Sequence, residues 1–204
     1  MSAFLGPIHH WLYNKIQIQQ AIVDNLHTLG ERYSLSLKEE CDAKYGSFEN
    51  KPLDEMINHN NIHGWLQEKV SMVEYKYAFS VKALLDTDSS LLPHIEALLT
   101  AKGKELGRTI KETCNTAPLL YKAITDNLLD GMPCDHANSL LENGEDRLVW
   151  KRNLCVHENY WNEVGADISI YYTFRDAWIQ GLVMECSFTY QKIDSVTYSI
   201  AAAA

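Results

Sequence analysis

The stretch LDEMINHNNIHGWLQEKVSMVEYKYAFSVKALL, residues 53–85, carries the strongest structural pattern in the sequence. Its apolar and imidazole side chains recur every three or four residues, which is the spacing of one face of an α-helix. We therefore predict a long helix over Leu53–Leu85. Its buried face is formed by Met56, His59, His63, Leu66, Val70, Val73 and Tyr77. Glu68 and Glu74 fall outside this face, and we expect both to lie in solvent.

A similar helical pattern covers residues 7–29 near the start of the chain. Pro7 suits the first position of a helix, and Gly30 suits its end. Residues 8–16 and 62–70 share the pattern I-H-x-W-L-x-x-K-[IV], so His9 and His63 hold equivalent places on two predicted helices.

Three further helices are predicted before residue 143: a short one within residues 31–52, one over 91–110 and one over 119–129. Their short connections favour an antiparallel helical bundle. After Asn143 the pattern changes to a strand over Arg147–Val156, a helix over Ala166–Met184, and strands over Ser187–Lys192 and Val196–Ile200. The sequence therefore predicts an α+β fold, with a helical bundle over 1–143 and a small antiparallel β-α-β-β unit over 144–204 packed on it to form one compact domain. The four terminal alanines are assigned no role.

Composition and charge exclude several classes of protein. Of the 204 residues 46% are hydrophobic and 22% are charged, as in ordinary globular proteins. The net charge of −9 repels phosphate backbones and anionic lipids, so we expect no nucleic-acid or membrane partner. No apolar run reaches the length of a membrane span, and Met1–Ile8 lacks the positive region of a signal peptide. The five cysteines are odd in number and widely spaced, which favours reduced thiols and a cytoplasmic location.

Histidine spacing suggests a metal site. His59 and His63 are four residues apart in the predicted helix, a spacing that can hold a divalent metal such as zinc. His9, on the equivalent face of the first helix, could complete the ligand set. Asn60 stands where a metalloprotease needs glutamate, so that enzyme class is not supported. The alternative is that these imidazoles line a partly buried face and form local hydrogen bonds.

Aromatic residues on the same two helices suggest a pocket for a small organic ligand. Trp11, Tyr13, Trp65 and Tyr77 offer apolar rings with polar tips, and His9 and His63 would add hydrogen-bonding groups. Core packing explains the same aromatic residues without a ligand.

Cys155 and His157 form a candidate nucleophile and base. On a continuous strand the two side chains would share a face, so that the imidazole could activate the thiol, with Asp176 or Glu158 orienting the imidazole. The alternative is that Cys155 is a buried apolar residue. Gly-rich phosphate loops and the G-x-S-x-G motif are absent from the sequence, which argues against nucleotide-dependent chemistry and serine hydrolases.

The last third of the chain resembles a known family. The segment VWKRNLCVH (149–157), the helical segment RDAWIQGL (175–182) and the aromatic pair of strands that follows are similar to the C-terminal region of the L-2-amino-thiazoline-4-carboxylic acid hydrolase-like family. They are more loosely similar to vinyl-reductase-type domains that bind small molecules. Cys155, Asp176 and Gly181 match, whereas the closing strand lacks the cysteine that these families often contain. The resemblance implies a hydrolase-like or ligand-sensing fold.

Three functions remain open from the sequence. The preferred one is binding of a small organic ligand or a metal in a cavity between bundle and sheet, with His9, His63, Cys155 and His157 as polar anchors. The second is a hydrolase of a small amide or cyclic amidine-like compound, with Cys155 as nucleophile. The third is an interaction module that forms a homodimer.

Overall fold

The structure, a computed structural model, describes residues 5–49 and 51–203. Met1–Phe4, Asn50 and Ala204 lie outside these ranges, and so do the predictions that concern the first four residues and the last alanine. Within the described ranges the chain is mainly helical, with eight α-helices and one four-stranded antiparallel sheet. The predicted α+β class is therefore confirmed.

The helices are α1 Pro7–Glu31, α2 Leu37–Tyr45, α3 Leu53–Met56, α4 Ile62–Thr87, α5 Leu92–Ile110, α6 Ala117–Asn127, α7 Glu158–Glu163 and α8 Ile168–Glu185. The strands are β1 Asn138–Asn143, β2 Arg147–Arg152, β3 Phe188–Lys192 and β4 Thr197–Ala202. The chain folds into two compact units, each built from segments that are separated in the sequence. The predicted division between residues 143 and 144 lies inside the second of them.

The first unit comprises the chain up to Ser89 together with Asn127–Pro133 and His157–Asp167. Its centre is the packing of α1 against α4, as the two helical patterns indicate. The buried apolar residues of the two helices and the neighbouring segments form one cluster, which includes Leu12, Ile16, Leu66, Val70, Val73 and Leu129.

The predicted helix over 53–85 is interrupted, so the prediction was wrong for residues 57–61. The helical backbone stops after Met56 and resumes at Ile62. Asn61 caps the new helix, because its side-chain oxygen accepts a hydrogen bond from the Gly64 amide at 3.1 Å. An asparagine cap satisfies a helix-end N–H that would otherwise lack a partner, so the Asn-rich segment favours a restart over a continuous helix.

The second unit comprises Ser90–Asp126, Cys134–Val156 and the chain from Ile168. Here α5 and α8 pack closely because glycines face the opposite backbone. A Cβ atom at Gly103 would lie 2.0 Å from the Trp178 carbonyl oxygen, and one at Gly181 would lie 2.2 Å from that of Thr100. Only glycine permits such an approach.

The sheet of the second unit has the strand order β1-β2-β4-β3. Strand β1 was not predicted, since its residues NSLLEN are mostly exposed and lack alternation. Strand β4 extends to Ala202, and Ala201 pairs with Arg147, so two of the terminal alanines belong to the sheet. The predicted strand Arg147–Val156 ends earlier, at Arg152.

Two further expectations from the sequence concern the cysteines and membrane-spanning helices. All five cysteines are free thiols. Among residues 5–49 and 51–203, no helix combines the length and the apolar character that crossing a membrane requires.

Candidate functional site

A group of polar side chains lines a cavity in the first unit, where α1, α2 and α4 meet. The cavity has a volume of about 400 Å³, which falls within the usual range for small-molecule sites. One face of α1 supplies Gln17, Gln20, Asp24, His27, Thr28 and Glu31. Helix α2 supplies Lys38 and Asp42, α4 supplies Lys76, and Phe48 follows α2. We call this set the α1–α2–α4 cavity.

The sequence of α1 explains why its cavity face is polar. The residues that line the cavity recur at intervals of three or four, so they form a second stripe beside the apolar stripe that packs on α4. Helix α1 therefore packs on α4 with one face and lines the cavity with the adjacent face.

His27 is the most distinctive residue of the cavity. Its side chain lines the cavity and is only 5% exposed, and neither ring nitrogen has a hydrogen-bond partner among residues 5–49 and 51–203. Burial lowers the pKa of His27 below its ordinary value of 6.5. Asp24 and Asp42 oppose this shift, whereas Lys76 and Lys38 add to it. His27 is thus neutral at pH 7, with one nitrogen as hydrogen-bond donor and the other as acceptor.

Gln20, two helical turns before His27, offers a second unsatisfied group. Its side-chain nitrogen donates to Asp24 Oδ1 at 2.7 Å, which fixes the orientation of the amide. Its buried oxygen Oε1 then has no donor among the described part of the chain. A buried acceptor without a donor costs about 1–3 kcal/mol, so such atoms are uncommon in folded proteins.

Lys76 contributes a buried charge to the same cavity. The residue is 1% exposed, and its ammonium group lies 2.6 Å from Asp42 Oδ1. A buried ammonium group requires a partner of this kind, because transfer of an isolated charge from water is costly. The ion pair also ties α2 to α4.

The predicted histidine site is only partly assembled. The rings of His9 and His63 lie 5.4 Å apart between centroids in an edge-to-face arrangement. His9 is buried and its Nδ1 accepts a hydrogen bond from the Gly6 amide at 2.9 Å, whereas His63 is exposed. His59 lies in the turn before α4, so the predicted helical spacing between His59 and His63 was wrong.

Metal coordination by these three histidines finds no support in the structure. Within residues 5–49 and 51–203, no three His, Cys, Asp or Glu side chains form a group suited to holding a metal ion. The local hydrogen bond of His9 agrees with the alternative interpretation of these imidazoles.

The predicted aromatic pocket residues mainly pack against other groups of the first unit. Tyr13 lies 6.0 Å from Trp65 between ring centroids, and its hydroxyl donates to the Lys51 carbonyl oxygen at 2.9 Å. The ammonium group of Lys15 lies 4.0 Å from the ring centroid of Trp11. Trp65 also lines a groove beside the segment 47–56.

Tyr77 is buried and belongs to the core of the first unit. Its ring packs edge-to-face on Trp161 with the centroids 5.8 Å apart. Burial, together with the nearby Glu74 carboxylate, raises the pKa of Tyr77. The hydroxyl therefore stays protonated throughout the physiological range.

His157 occupies a different setting from the predicted one. It is the N-cap residue of α7, and because β2 ends at Arg152, no continuous strand places it on the same face as Cys155. Its Nδ1 lies 3.0 Å from Glu74 Oε1 and its Nε2 lies 3.5 Å from Asp130 Oδ1. Burial by itself lowers the pKa of His157, but the two carboxylates outweigh this effect and raise the pKa to about 9. The imidazole is therefore protonated at pH 7.

The burial of Glu74 differs from what the sequence predicts. Its side chain was predicted to lie in solvent, but it is 2% exposed. Its second oxygen, Oε2, has no hydrogen-bond partner within the described part of the chain. Because the helical face of α4 is covered by α7 as well as by α1, a position outside the main apolar stripe is also buried.

Cys155 and Asp176 belong to the second unit, whereas His157 belongs to the first. The Cys155 sulfur accepts a hydrogen bond from the Tyr172 hydroxyl at 3.0 Å. Asp176 accepts a hydrogen bond from the Tyr190 hydroxyl at 2.6 Å and forms an ion pair with Lys192 at 3.2 Å. Asp176 thus links α8 to β3.

Comparison with known proteins gives no further assignment, since no family model, curated protein or solved structure matches the chain. The resemblance of the last third to the hydrolase-like family remains a prediction.

Sequence reasoning missed Gln20, His27, Asp42 and Lys76. The signal that could have found them is the second stripe of α1, where Gln20, Asp24 and His27 follow one another at helical spacing. Lys76 gave no such signal, because its burial depends on α2, which is distant in the sequence.

Proposed function

We propose that this protein binds a small polar organic molecule in the α1–α2–α4 cavity. The observation that carries the proposal is His27, a buried neutral imidazole that lines the cavity and has no hydrogen-bond partner for either nitrogen among the described residues. Buried polar groups of native proteins nearly always have partners, so a ligand that supplies them is the simplest function for this arrangement.

Gln20 and Lys76 support the same proposal. Gln20, another residue of the cavity wall, has a second buried atom without a partner among the described residues, and Lys76 places a buried charge in the same wall. Small-molecule sites typically combine a concave surface with a few such polar groups. As in the sequence analysis, the proposed function is binding of a small organic ligand. The proposed site, however, contains His27 in place of His9 and His63.

The experiment is a nuclear magnetic resonance titration of the wild-type protein with five probes of different charge. The probes are glucose, nicotinamide, glycine, citrate and putrescine, each at millimolar concentration. We expect at least one probe to shift the amide resonances of residues 17–31, and we expect the shifts to disappear in His27→Leu. The control is His94→Leu, which changes an exposed histidine of α5. If no probe shifts these resonances, the proposed function is wrong.

The hydrolase alternative requires a general base for Cys155, and His157 does not meet this requirement. A general base needs an accessible nitrogen, and both ring nitrogens of His157 lie beside carboxylates within the first unit. No observation on Cys155 replaces this base.

A second candidate function, the homodimeric interaction module, is favoured by the edge strand β1. Leu140 and Leu141 on this strand are 47% and 60% exposed. Exposed apolar residues on the edge of a sheet are typical of strand pairing with another chain.

The proposed location is the cytoplasm, and the five free thiols support it, since reduced cysteines are typical of that compartment. The net charge of −9 supports the expectation that nucleic acids are not partners.

A further inference from the structure

We infer that helix α2 is a lid on the α1–α2–α4 cavity, which opens on hinges at Ser34 and Gly46 and uncovers the imidazole of His27. This inference rests on the proposed function, because it describes how a ligand reaches His27. Three observations carry it: the position of α2 beside His27, the small number of side chains that α2 buries, and the backbone at its two ends.

Helix α2 forms one wall of the cavity in which His27 lies. Lys38 and Asp42 of α2 line the cavity together with His27. Burial lowers the pKa of His27, and both α2 residues are among the charged groups that act on the same pKa, so they lie near the imidazole. At the next turn of α1, a Cβ atom at Gly30 would lie 2.6 Å from Leu37 Cδ1, so the start of α2 rests directly on α1. Movement of α2 away from α1 would therefore give water or a ligand access to His27.

The closed position of α2 leaves two polar side chains without their water. Both ring nitrogens of His27 are buried and have no hydrogen-bond partner among residues 5–49 and 51–203. Loss of water without a replacement partner destabilises the closed position. Lys76 also loses its water there, and for a buried ion pair such as Lys76–Asp42 this loss offsets much of the attraction. Opening of α2 would hydrate both groups and thereby lower its own cost.

Few side chains hold α2 in place. It buries two of its nine residues, Leu37 and Cys41, whereas α1 buries twelve of 25 and α4 twelve of 26. Segments with few buried contacts open at a smaller free energy than the core does. We therefore expect α2 to open while α1 and α4 stay packed on each other. The polar and aromatic contacts that this opening breaks include Cys41 with Ser80, Asp42 with Lys76, Lys44 with Phe79, and Tyr45 with Tyr75.

The backbone on both sides of α2 is suited to act as a hinge. Ser34, in the turn between α1 and α2, has a φ of 60°, and Gly46, directly after α2, has a φ of 90°. Residues other than glycine rarely adopt a positive φ, so the closed position holds Ser34 in a strained conformation. Gly46 has no Cβ atom and can therefore reach a wide range of backbone angles. Rotation at these two residues moves α2 as one body.

The test follows the thiol of Cys41, which is 0% exposed in the closed position. Wild-type protein is treated with N-ethylmaleimide over a series of urea concentrations below the unfolding transition, and peptide mass spectrometry measures each cysteine separately. We expect Cys41 to react in the folded protein at a rate that hardly depends on urea, because opening of α2 exposes little surface. The exposed Cys134 serves as the reference for an accessible thiol, and tryptophan fluorescence follows global unfolding in the same samples.

Two variants should change the reaction rate of Cys41 in opposite directions. Asp42→Asn weakens the ion pair that holds α2 on Lys76, and we expect Cys41 to react about tenfold faster. His27→Leu replaces the imidazole by an apolar side chain and so favours the closed position, and we expect Cys41 to react about tenfold more slowly. Asp86→Asn, in an exposed ion pair of α4, is the matched control for Asp42→Asn and should leave the rate unchanged. A general loosening of the fold could not slow the reaction.

The outcomes separate the lid from the proposed function. Reaction of Cys41 only in parallel with global unfolding, or a faster reaction in His27→Leu than in the wild type, would overturn the lid and leave the proposed function standing. The expected reaction of Cys41 together with no shift by any of the five probes above would overturn the proposed function, and with it the role of α2 as a lid. Circular dichroism checks that each variant is folded, and the urea series and Asp42→Asn decide the matter if His27→Leu does not fold.

Discussion

Nδ1 of His157 lies 3.0 Å from Oε1 of Glu74, and both side chains are buried inside the first unit. Asp130 lies at the other ring nitrogen, at 3.5 Å. The three residues come from the start of α7, from α4 and from the segment 127–133, which are far apart in the sequence. One charged imidazole between two carboxylates thus connects three segments of the unit.

The first prediction concerns pH. His157 keeps its proton up to a pKa of about 9 in the folded protein, whereas an unfolded histidine loses it near 6.5. Because the folded state binds more protons between these values, we expect the free energy of unfolding to fall as pH rises from about 6.5 to about 9. Since one pKa unit corresponds to about 1.4 kcal/mol, the loss is at most about 3 kcal/mol.

Urea unfolding across this interval measures the effect. His157→Gln should flatten the pH dependence, whereas His10→Gln, at an exposed position of α1, should keep it. A wild-type protein whose stability stays constant from pH 6.5 to pH 9 would contradict the assignment of a charged His157.

The second prediction concerns the coupling between Glu74 and His157. Glu74→Gln or His157→Gln alone should destabilise the protein by about 3 kcal/mol at pH 7, because each leaves a buried charge with an incomplete set of partners. The double variant should cost less than the sum of the two, by at least about 1 kcal/mol. Lys82 and Asp86 form an exposed ion pair that serves as the control, with an expected coupling below about 0.5 kcal/mol. If the two double-mutant cycles gave equal coupling energies, the buried pair Glu74–His157 would interact no more strongly than an exposed ion pair, and the prediction would be wrong.

The third prediction concerns the acid side of the pH range. Burial keeps His27 neutral, and its folded pKa lies below that of the unfolded chain. Its contribution to stability is therefore present above about pH 6.5 and is lost as pH falls through its lowered pKa. Protonation of His27 also adds a positive charge to the cavity wall, so binding of an uncharged probe in the α1–α2–α4 cavity should weaken in acid. Titrations at pH 7 and below pH 6 test this, and binding that strengthens in acid would contradict the assigned role of His27.

The fourth prediction concerns the packing of α5 on α8 in the second unit. Gly103→Ala and Gly181→Ala would each force a Cβ atom against a backbone oxygen, at 2.0 Å and 2.2 Å. We expect each variant to lower the free energy of unfolding by about 1–3 kcal/mol, although alanine favours helices. Gly6→Ala is the matched control, because its Cβ would have no neighbour closer than 3.9 Å. Thermal unfolding distinguishes the cases, and alanine tolerated equally at all three positions would show that the helices can move apart.

The helices and strands differ in how well the sequence predicts them. Helices α1, α5 and α6 were predicted to within a few residues because their patterns are local, and Pro7 and Gly30 mark the two ends of α1. Strand β1 was missed because its pairing with β2 stabilises it more than its own residues indicate. The break before α4 was missed because His59 continued the helical spacing while Asn61 ended it.

The candidate site was less predictable than the fold. The sequence directed attention to His9 and His63 through a local repeat, and the two rings do lie 5.4 Å apart. His27 and Lys76 escaped notice because neither belongs to a recognised motif and because a lysine is usually exposed. Their burial results from the packing of α1, α2 and α4 on one another, which no single segment encodes.

The last prediction tests the homodimer through β1. If the edge strands of two copies pair around a two-fold axis at Leu141, the exposed Leu141 side chains of the two copies meet, and Leu141→Glu would place like charges together. We expect the wild-type protein to elute as a concentration-dependent dimer in size-exclusion chromatography with light scattering, and Leu141→Glu to elute as a monomer. Met184→Glu, at another exposed apolar position of the second unit, should not change the elution. A wild-type protein that is monomeric at every concentration would eliminate the homodimer.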